Sequence, residues 1–365
     1  MKVLAICSGN MPDFDLQLHQ AFIYDQVCAL NAIDPTIEID FYFIKGKGIG
    51  GYLQNFKKLK YTLQEKKYDI VHAHFALSGL LAGMQRGVPV ITTFHGSDIN
   101  IPSLRVLSAL AMLMSKKVIY VSHALNQKAL LKNSNKDHVV PCGLDLSIFK
   151  PYSEEELQTF PIRATPSRDL RLQPPQPPQP PQLPQPFQLP QPLPNRATPS
   201  RDLRLQHLQP LKPLQPSKKH ILFSSSFNNP VKNYSLLQAA LKLMDASHIV
   251  VHELKNMSRV EVAEMMNRVD LCVMTSFSEG SPQFIKEAMA CNCPIVSTNV
   301  GDVQEVIGNT PGCYVVGFDA AGLASAIQRA LAIGKRTEGR DRILKFDNQL
   351  IAKQIIDIYK TMLKK

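Results

Sequence analysis

The sequence predicts an α/β protein with two doubly wound domains, each built on a parallel sheet. Short apolar runs alternate with segments of helical periodicity over residues 1–150, and the same alternation restarts after residue 217. Almost continuous apolar runs of this length are typical of parallel strands that helices cover on both faces. The length of 365 residues is enough for two domains that each bury a core. We therefore predict two Rossmann-like domains that face each other across a cleft.

Six apolar, β-rich runs are predicted to form the sheet of the first domain. In open parallel sheets, ligands bind where the strands end at their carboxyl edge. Residues just past the strands are therefore candidates for a binding site, and among them are His74, His95 and Ser122. The predicted strands are Lys2–Ser8, Ile37–Ile44, Asp69–Phe75, Pro89–His95, Lys117–Ser122 and His138–Cys142.

A basic segment, Lys45–Lys67, lies between the second and third of these strands. It has seven lysines beside apolar residues at helical spacing, such as Phe56, Leu59 and Leu63. A basic amphipathic helix of this kind is either a solvated surface or a face that touches anionic lipid. Both interpretations stay open, and the second predicts an anionic membrane surface as a partner.

A second set of strands and helices follows residue 217. The last predicted helix, Asn348–Leu363, carries its apolar side chains largely on one stripe, as expected of a helix that packs against a domain. The predicted strands are His220–Ser225, His248–Glu253, Leu271–Thr275, Pro294–Thr298 and Cys313–Gly317. The other predicted helices are Tyr234–Met244, Arg259–Arg268, Pro282–Ala290 and Ala320–Leu331.

The clearest break in composition is a proline-rich segment. Residues 160–217 hold 17 of the 27 prolines, and an eleven-residue string occurs identically at Arg163–Gln173 and at Arg196–Gln206. Proline at this density prevents helices and sheet ladders, and two copies are too few for a repeat fold. We predict a disordered or polyproline II linker here. The predicted organisation is a first domain at 1–152, the linker at 153–217, a second domain at 218–346 and a C-terminal helix at 347–365.

Charge and cysteine content narrow the partners and the compartment. The 41 basic and 30 acidic residues give a net charge of +11, which indicates an anionic partner such as a nucleotide, a membrane surface or a nucleic acid. The seven basic and two acidic residues of 160–217 contribute +5 of this charge. The seven cysteines lack zinc or CxxC spacing, and no transmembrane run or signal peptide is recognisable. We therefore expect a cytoplasmic protein.

The stretch Ser276–Cys293 is the strongest functional motif. It follows a predicted strand with a turn at Gly280 and a helix that is predicted to start at Pro282. Glu279 precedes the turn and Glu287 lies within the helix. Because free N–H groups at a helix start bind phosphate, this arrangement suits a phosphorylated ligand. A surface loop with two solvated acids is the alternative that spacing alone leaves open.

Several other kinds of site are disfavoured because their motifs are missing. No GxGxxG follows the first strand of either domain, which argues against a dinucleotide-binding dehydrogenase. A Walker lysine loop and a GxSxG elbow are also missing from the sequence. His72 and His74 share one face of a strand without a third ligand, so we expect no metal site there.

Four motifs together resemble those of a known family. Two glutamates, Glu279 and Glu287, are separated by seven residues around a Glu-Gly-x-Pro turn. Pro230–Asn233 provides a Lys-Asn element upstream, while Thr93–Asp98 and Val140–Asp145 lie in the first domain. These motifs resemble those of the retaining, nucleotide-sugar-dependent glycosyltransferases of the two-Rossmann, GT-B type. The resemblance covers the whole chain except the proline-rich segment, and it implies the GT-B fold.

The resemblance implies a role for each matched residue. Glu287 would accept hydrogen bonds from the nucleotide ribose, Glu279 would hold hydroxyl groups of the donor sugar, and Lys232 would neutralise the diphosphate. His95 would contact the donor sugar from across the cleft, and its carbonyl would stabilise positive charge near the anomeric carbon. The implied catalytic residues are thus His95 and Glu279. The loop whose N–H groups would approach the sugar and the diphosphate consists of Gly280, Ser281, Pro282 and Gln283.

The implied activity is transfer of a hexose-type sugar, with retention, from a UDP- or GDP-sugar to a glycan or lipid-linked acceptor in bacterial surface polysaccharide synthesis. The nucleotide-sugar is a substrate, so the resemblance implies neither cofactor nor metal, and it implies no nucleic acid partner. The expected location is the cytoplasm, peripheral at the inner face of the plasma membrane. Phe227 departs from the family pattern, because an arginine usually precedes the lysine there, and this weakens the phosphate site unless another base such as Lys255 or Arg259 supplies the charge. Two alternatives stay open: a sugar-nucleotide epimerase of the same fold, and a non-catalytic relative.

Overall fold

In the computed structural model, residues 1–10, 14–46, 48–159 and 218–364 are described. Within these residues, all eleven predicted strands are present, and each begins and ends within three residues of its predicted bounds. All strand pairs are parallel, and the strands divide into two separate sheets. The prediction of two parallel-sheet α/β domains is confirmed.

The first sheet has six strands in the order β2-β1-β3-β4-β5-β6. Every residue of the central strands β3 and β4 is buried, because helices cover both faces of the sheet there. The strands are β1 (Lys2–Ser8), β2 (Glu38–Ile44), β3 (Ile70–His74), β4 (Val90–Phe94), β5 (Lys117–Tyr120) and β6 (Asp137–Val139). The helices between and after them are α1 (Leu16–His19), α2 (Ala21–Ile33), α3 (Gly48–Glu65), α4 (Ala76–Gly83), α5 (Ser97–Asn100), α6 (Pro102–Met114), α7 (His123–Lys128) and α8 (Glu154–Thr159).

The second sheet has five strands in the order β11-β10-β9-β7-β8. They are β7 (Lys219–Phe223), β8 (Ile249–Glu253), β9 (Leu271–Met274), β10 (Ile295–Thr298) and β11 (Cys313–Val316). The helices are α9 (Tyr234–Lys242), α10 (Arg259–Arg268), α11 (Gln283–Ala290), α12 (Val303–Ile307), α13 (Ala320–Ile333), α14 (Arg340–Ile343) and α15 (Asn348–Leu363). Two short 3₁₀ helices, Pro230–Lys232 and Leu344–Phe346, complete this part.

Helix α11 begins one residue later than predicted. Pro282 has φ −68° and ψ 119°, which is extended rather than helical, so it is the N-cap and Gln283 is the first helical residue. The proline therefore precedes the helix that it was expected to begin. Helix α3 starts at Gly48 and ends at Glu65, and it thus covers most of the basic segment Lys45–Lys67.

The chain passes from the first domain to the second before residue 152, which was the predicted boundary. Leu144 and Phe149 are fully buried in the core of the second domain rather than the first. Helix α8 then occupies the start of the predicted linker, and the carbonyl of Leu157 accepts a hydrogen bond of 2.6 Å from Arg268. The predicted linker is therefore wrong in its first residues. Residues 160–217, on which the rest of that prediction falls, lie outside the described residues.

The chain crosses back to the first domain beside the first crossing. Leu144 and Asp347 form a parallel β-bridge, and the Asn348 N–H donates to the Leu144 carbonyl at 3.0 Å. Helix α15 then packs on the first domain, where Ile355 and Tyr359 are buried with residues of α2 and of the first sheet. Two adjacent segments of the chain thus connect the two domains. None of the described helices is long and apolar enough to cross a membrane.

Candidate functional site

The carboxyl edges of the two sheets face each other, and the loops after the strands are in contact. Ser122, which follows β5, donates a hydrogen bond of 2.9 Å to the carbonyl of Gly280. Asn100 donates one of 2.9 Å to the carbonyl of Glu279. The strongest motif of the sequence therefore lies directly against the first domain.

Three glycines allow the backbones to approach this closely. Gly96 has φ +138°, and a Cβ there would lie 2.7 Å from the Gly280 nitrogen. A Cβ on Gly280 would collide with the His95 carbonyl, and one on Gly301, at φ +60°, would lie 2.8 Å from the Gly280 oxygen. No L side chain fits these positions without displacement of the backbone. The His95 carbonyl and the Gly280 turn are consequently neighbours across the cleft.

The turn that carries His95 is held by a buried acid. Asp98 accepts hydrogen bonds from the N–H groups of His95 at 3.0 Å and of Ala76 at 2.9 Å. Burial raises the pKa of the Asp98 carboxyl. Because both N–H groups point at one carboxyl group, Asp98 fixes the loop after β4 against the loop after β3. This fixes the position of the His95 carbonyl.

The His95 ring lies within the first domain. Its Nε2 is 3.0 Å from His74 Nδ1, its Nδ1 is 3.7 Å from Cys142 Sγ, and the rings of Phe22 and Phe75 pack on it. Burial lowers the pKa of His95 to about 3, so the ring is neutral at neutral pH. In this arrangement it is the backbone carbonyl of His95, and not the ring, that meets the second domain.

Lys232 and Glu279, both predicted as donor-site residues, form an ion pair. Lys232 Nζ lies 2.6 Å from Glu279 Oε1, and the two side chains are 23% and 16% exposed. Lys232 ends the 3₁₀ helix after β7, and Thr275 fixes that turn by donating to the Lys232 carbonyl at 2.9 Å. The pair leaves the local charge balanced and is accessible from the cleft.

Phe227 packs as an aromatic core residue. Its ring stacks on Tyr234 at 4.0 Å between centroids and lies 5.9 Å from the ring of Phe223. Its N–H donates to Glu253 at 3.0 Å. The position where the family resemblance expects an arginine therefore contributes no positive charge to the cleft.

Glu287 contacts Arg259, which the sequence suggested only as a possible replacement for the missing arginine. Arg259, the first residue of α10, forms an ion pair with Glu287 through Nη1, and its Nε lies 3.0 Å from Asp25 Oδ2 of the first domain. The guanidinium stacks over the Phe149 ring at 4.5 Å. A sequence signal was present, because Ser258 and Glu261 form a capping box that fixes the start of α10 at Arg259.

The remaining predicted loop residues support the turn. Ser281 donates to Asp302 at 2.6 Å, and Gln283 donates to the Gly143 carbonyl at 2.8 Å. Pro282 has no side-chain group that could cap α11. The first N–H groups of the helix therefore remain available as hydrogen-bond donors at the turn. Next to Glu287, the buried Lys286 donates to the Cys142 carbonyl at 3.2 Å, and burial lowers its pKa.

His72 and His74, which were considered as a metal pair, have other partners. His72 lies 2.7 Å from the Tyr359 hydroxyl and 2.7 Å from Thr93 Oγ1. Its ring stacks on His74 at 4.5 Å. Among the residues that the structure describes, no group of three or more His, Cys, Asp or Glu side chains is arranged to hold a metal ion.

Two family models match the chain, one in each domain. Residues 19–148 match the model described as Glycosyltransferase Family 4. Residues 241–332 match the model described as Glycosyl transferases group 1. The second match includes the turn with Glu279 and the helix with Glu287.

Curated relatives extend over most of this chain. A protein named as a teichuronic acid biosynthesis glycosyltransferase, TuaC, from Bacillus subtilis (strain 168) is 27% identical over 281 residues, which are 74% of this chain and 64% of that protein. N-acetyl-alpha-D-glucosaminyl L-malate synthase from Bacillus anthracis is 27% identical over 309 residues, covering 74% of this chain and 68% of that protein. The chain spans less than two thirds of the length of the first two relatives that it matches, 64% and 65%.

Solved structures share the architecture at low sequence identity. Sucrose-phosphate synthase from Thermosynechococcus elongatus superposes with a TM-score of 0.71 at 15% identity, covering 99% of this chain and 98% of that chain. HepE from Anabaena, solved in complex with UDP, gives a TM-score of 0.65 at 14% identity, covering 99% and 100%. These likenesses show the GT-B fold, which confirms the predicted fold class. Together with the family models and the relatives, they support a glycosyltransferase.

Proposed function

We propose that this GT-B chain is a retaining glycosyltransferase that moves a hexose-type sugar from a UDP- or GDP-sugar to a glycan or a lipid-linked acceptor. Its two family-model matches and its curated relatives support glycosyl transfer in general. The relative named for teichuronic acid biosynthesis supports a bacterial surface polysaccharide as the product. HepE, solved with UDP and with UDP-glucose, supports a nucleotide-sugar donor here.

One observation carries the proposal: the contact between Gly280 and the His95 carbonyl. It brings the Lys232–Glu279 pair of one domain next to a fixed carbonyl of the other. A donor bound between them would place its diphosphate at Lys232 and the start of α11, and its sugar at Glu279. Glu287 would accept hydrogen bonds from the ribose.

The proposed reaction replaces the diphosphate by the acceptor on the same face of the sugar. The bond between the anomeric carbon and the leaving oxygen breaks first, and its electron pair goes to the nucleoside diphosphate. Lys232 and the helix N-terminus stabilise that charge, while the His95 carbonyl stabilises the positive charge on the sugar. The acceptor hydroxyl then forms the new bond and gives its proton to the departing diphosphate. Attack by Glu279 as a covalent nucleophile is the alternative.

No cofactor enters this proposal, because the nucleotide-sugar itself is the activated substrate. Lys232 and the first N–H groups of α11 would supply the positive potential that the leaving diphosphate needs. Main-chain groups at the end of β8, near Val251–Leu254, would meet the base.

The test is to incubate the purified protein with UDP- and GDP-sugars and to follow release of the nucleotide. We expect the wild type to hydrolyse one of them slowly, and Glu287→Ala to weaken its binding by about tenfold to a hundredfold, because a hydrogen bond to a charged group is lost. Glu305→Ala, which removes an exposed acid of α12, is the matched control and should bind as the wild type does.

The outcomes separate the candidate functions. If no nucleotide-sugar binds and Glu287→Ala changes nothing, the transferase proposal fails. Conversion of a nucleotide-sugar into its epimer without release of nucleotide would identify the epimerase alternative instead.

A non-catalytic relative is the second candidate, because the partly buried Phe227 stacks on Tyr234 where the family resemblance expects an arginine. This alternative predicts binding of the nucleotide-sugar without hydrolysis or transfer at any concentration of acceptor. Release of nucleotide by the wild type, lost in Lys232→Ala, would exclude it.

We also propose that α3 attaches the protein to the inner face of the plasma membrane. Leu59 of this helix is buried in the first domain, whereas Lys57, Lys58 and Lys60 are exposed. Exposed lysines on an amphipathic helix favour contact with anionic lipid. The proposal rests on this charge pattern.

Vesicle sedimentation tests the membrane proposal. Binding to vesicles with phosphatidylserine should weaken as salt is added. It should fall about a hundredfold when Lys57, Lys58 and Lys60 are changed to Gln, because each lysine contributes about 1 kcal/mol. A control with Lys242, Lys335 and Lys353 changed to Gln removes the same charge from exposed positions elsewhere. Equal binding by both triple variants would contradict the proposal.

A further inference from the structure

Arg259 is held in one orientation at the cleft. The capping box of Ser258 and Glu261 fixes the backbone at the start of α10. The ring of Phe149 lies under the guanidinium at 4.5 Å, and the side chain is only 17% exposed. A guanidinium that stacks on a ring and is paired in its plane has little freedom to turn. Its donors therefore point in fixed directions.

One edge of this guanidinium still lacks a partner. Nη1 is paired with Glu287, and Nε faces Asp25. The buried Nη2 has no hydrogen-bond acceptor among the described residues. A buried donor without an acceptor is unfavourable, and an oxygen supplied by a ligand would remove that penalty. The missing acceptor would lie next to the Glu287 carboxylate, because Nη1 and Nη2 belong to the same planar group.

The charges around Arg259 determine what kind of oxygen fits there. Two carboxylates, Asp25 and Glu287, contact the single positive charge, and Asp145 lies close enough to act on it as well. Burial raises the pKa of Asp25. The surroundings of Arg259 thus carry at least as much negative as positive charge. A phosphate would be repelled by these acids, whereas a neutral hydroxyl would not.

We propose that Arg259 and Glu287 form a clamp for a vicinal diol, with the ribose of the nucleotide as its ligand. This inference rests on the proposed function. The carboxylate of Glu287 accepts a hydrogen bond from one hydroxyl, and Nη2 of Arg259 donates to the oxygen of its neighbour. Asp25 of the first domain lies next to Nε of the guanidinium and positions it. Arg259 is thus a specificity-determining residue that recognises the ribose, whereas Lys232 binds the diphosphate.

The clamp predicts strong discrimination against nucleotides that lack one ribose hydroxyl. A site built to hydrogen-bond a hydroxyl rejects the analogue without it, because its buried polar groups are then left unpaired. We expect the wild type to bind UDP or GDP at least about tenfold more tightly than the 2′-deoxy or the 3′-deoxy counterpart. Isothermal titration calorimetry with these six nucleotides measures the ratio on the unaltered protein.

Variants assign the discrimination to Arg259. In Arg259→Gln, the ratio for at least one deoxy analogue should fall to within about threefold, because the donor to the hydroxyl oxygen is lost. Lys242→Gln is the matched control, since it removes the same charge from an exposed position in α9, and it should keep the wild-type ratio. Asp25→Asn keeps the guanidinium and should retain most of the discrimination, which provides a second variant if Arg259→Gln unfolds.

Two results would overturn the clamp, and they differ in what else they affect. If the wild type binds UDP or GDP but binds both deoxy analogues equally well, the clamp is wrong and the proposed function stands. If the wild type binds neither diphosphate, the proposed function fails and the clamp fails with it. Equal discrimination by the wild type and a folded Arg259→Gln would also overturn the assignment to Arg259.

Discussion

At the scale of single residues, the approach of the two domains depends on the missing side chain of Gly280. The His95 carbonyl occupies the place where a Cβ of residue 280 would lie. An oxygen of the main chain cannot turn away as the end of a flexible side chain can. The two loops must therefore separate if any side chain is introduced at this position.

The substitution Gly280→Ala should therefore open the contact across the cleft. We expect a loss of about 1–3 kcal/mol in the free energy of unfolding from overpacking, and a larger proportional loss of activity. Urea denaturation and nucleotide release measure the two effects. Gly50→Ala is the control, because no atom lies within 4 Å of a Cβ there and the residue is in helix α3. A Gly280→Ala protein as active and stable as the wild type would contradict the close contact.

His95 shows how far a residue's function depends on its surroundings. The family resemblance implied that His95 contacts the donor sugar from across the cleft and that its carbonyl stabilises positive charge on the sugar. In the structure both ring nitrogens lie next to His74 and Cys142, and the carbonyl lies next to Gly280 of the other domain. Sequence reasoning could place His95 at the edge of the sheet, but the direction of the ring depends on partners that are 21 and 47 residues away along the chain.

At the scale of elements, helix α15 connects the end of the chain to the first domain. Tyr359 is fully buried, and its hydroxyl lies 2.7 Å from His72 Nδ1 in the first sheet. Ile351, Ile355 and Met362 bury their side chains in the same cluster. The helix is thus part of the core of the first domain.

The substitution Tyr359→Phe tests how strongly α15 is attached. It keeps the packing of the ring but leaves His72 Nδ1 buried without its partner, which should lower the free energy of unfolding by about 1–3 kcal/mol. Thermal or urea unfolding measures this loss. Tyr61→Phe is the control, because this tyrosine is 61% exposed on α3 and should change stability by less than about 0.5 kcal/mol. Equal stability of Tyr359→Phe and the wild type would contradict a strong hydrogen bond.

At the scale of the whole molecule, buried histidines make stability depend on pH. Burial lowers the pKa of His72 and of His95 to about 3, and it lowers the pKa of His74 well below its usual value. In the unfolded chain these groups titrate near pH 6.5. Between these values the unfolded state binds more protons than the folded state does. Stability must therefore fall as the pH falls below about 6.5.

The expected loss is about 1.4 kcal/mol per histidine for each pH unit below 6.5. Urea unfolding at pH 7.5 and at pH 5.5 measures it. The loss should persist in 1 M salt, because burial rather than repulsion between surface charges causes it. The buried acids Asp25, Asp98 and Asp302 act in the opposite direction at lower pH, since burial raises their pKa values. Equal stability at the two pH values would contradict the burial of uncharged histidines.

The sequence predicted the sheets well because parallel strands buried on both faces leave a continuous apolar run. The family resemblance assigned Lys232 and Glu279 to one donor site, and in the structure the two side chains form an ion pair. The sequence indicated Arg259 only as a possible replacement for the missing arginine. It did not predict the contacts of Arg259 with Asp25 and Glu287, which lie 234 residues before and 28 residues after it in the chain. The local hydrophobic periodicity of the sequence gives no information about contacts between residues so far apart in the chain.

The return of α15 to the first domain also determines the order in which the chain can fold during synthesis. Tyr359 is 287 residues from its partner His72. At usual rates of translation, roughly 10 to 40 s separate the appearance of the first domain's last strand from that of this helix. During that time the apolar surface that α15 covers is open to other proteins. The core of the second domain ends at Phe346, before α15 begins, so the second domain is the first that can complete its core.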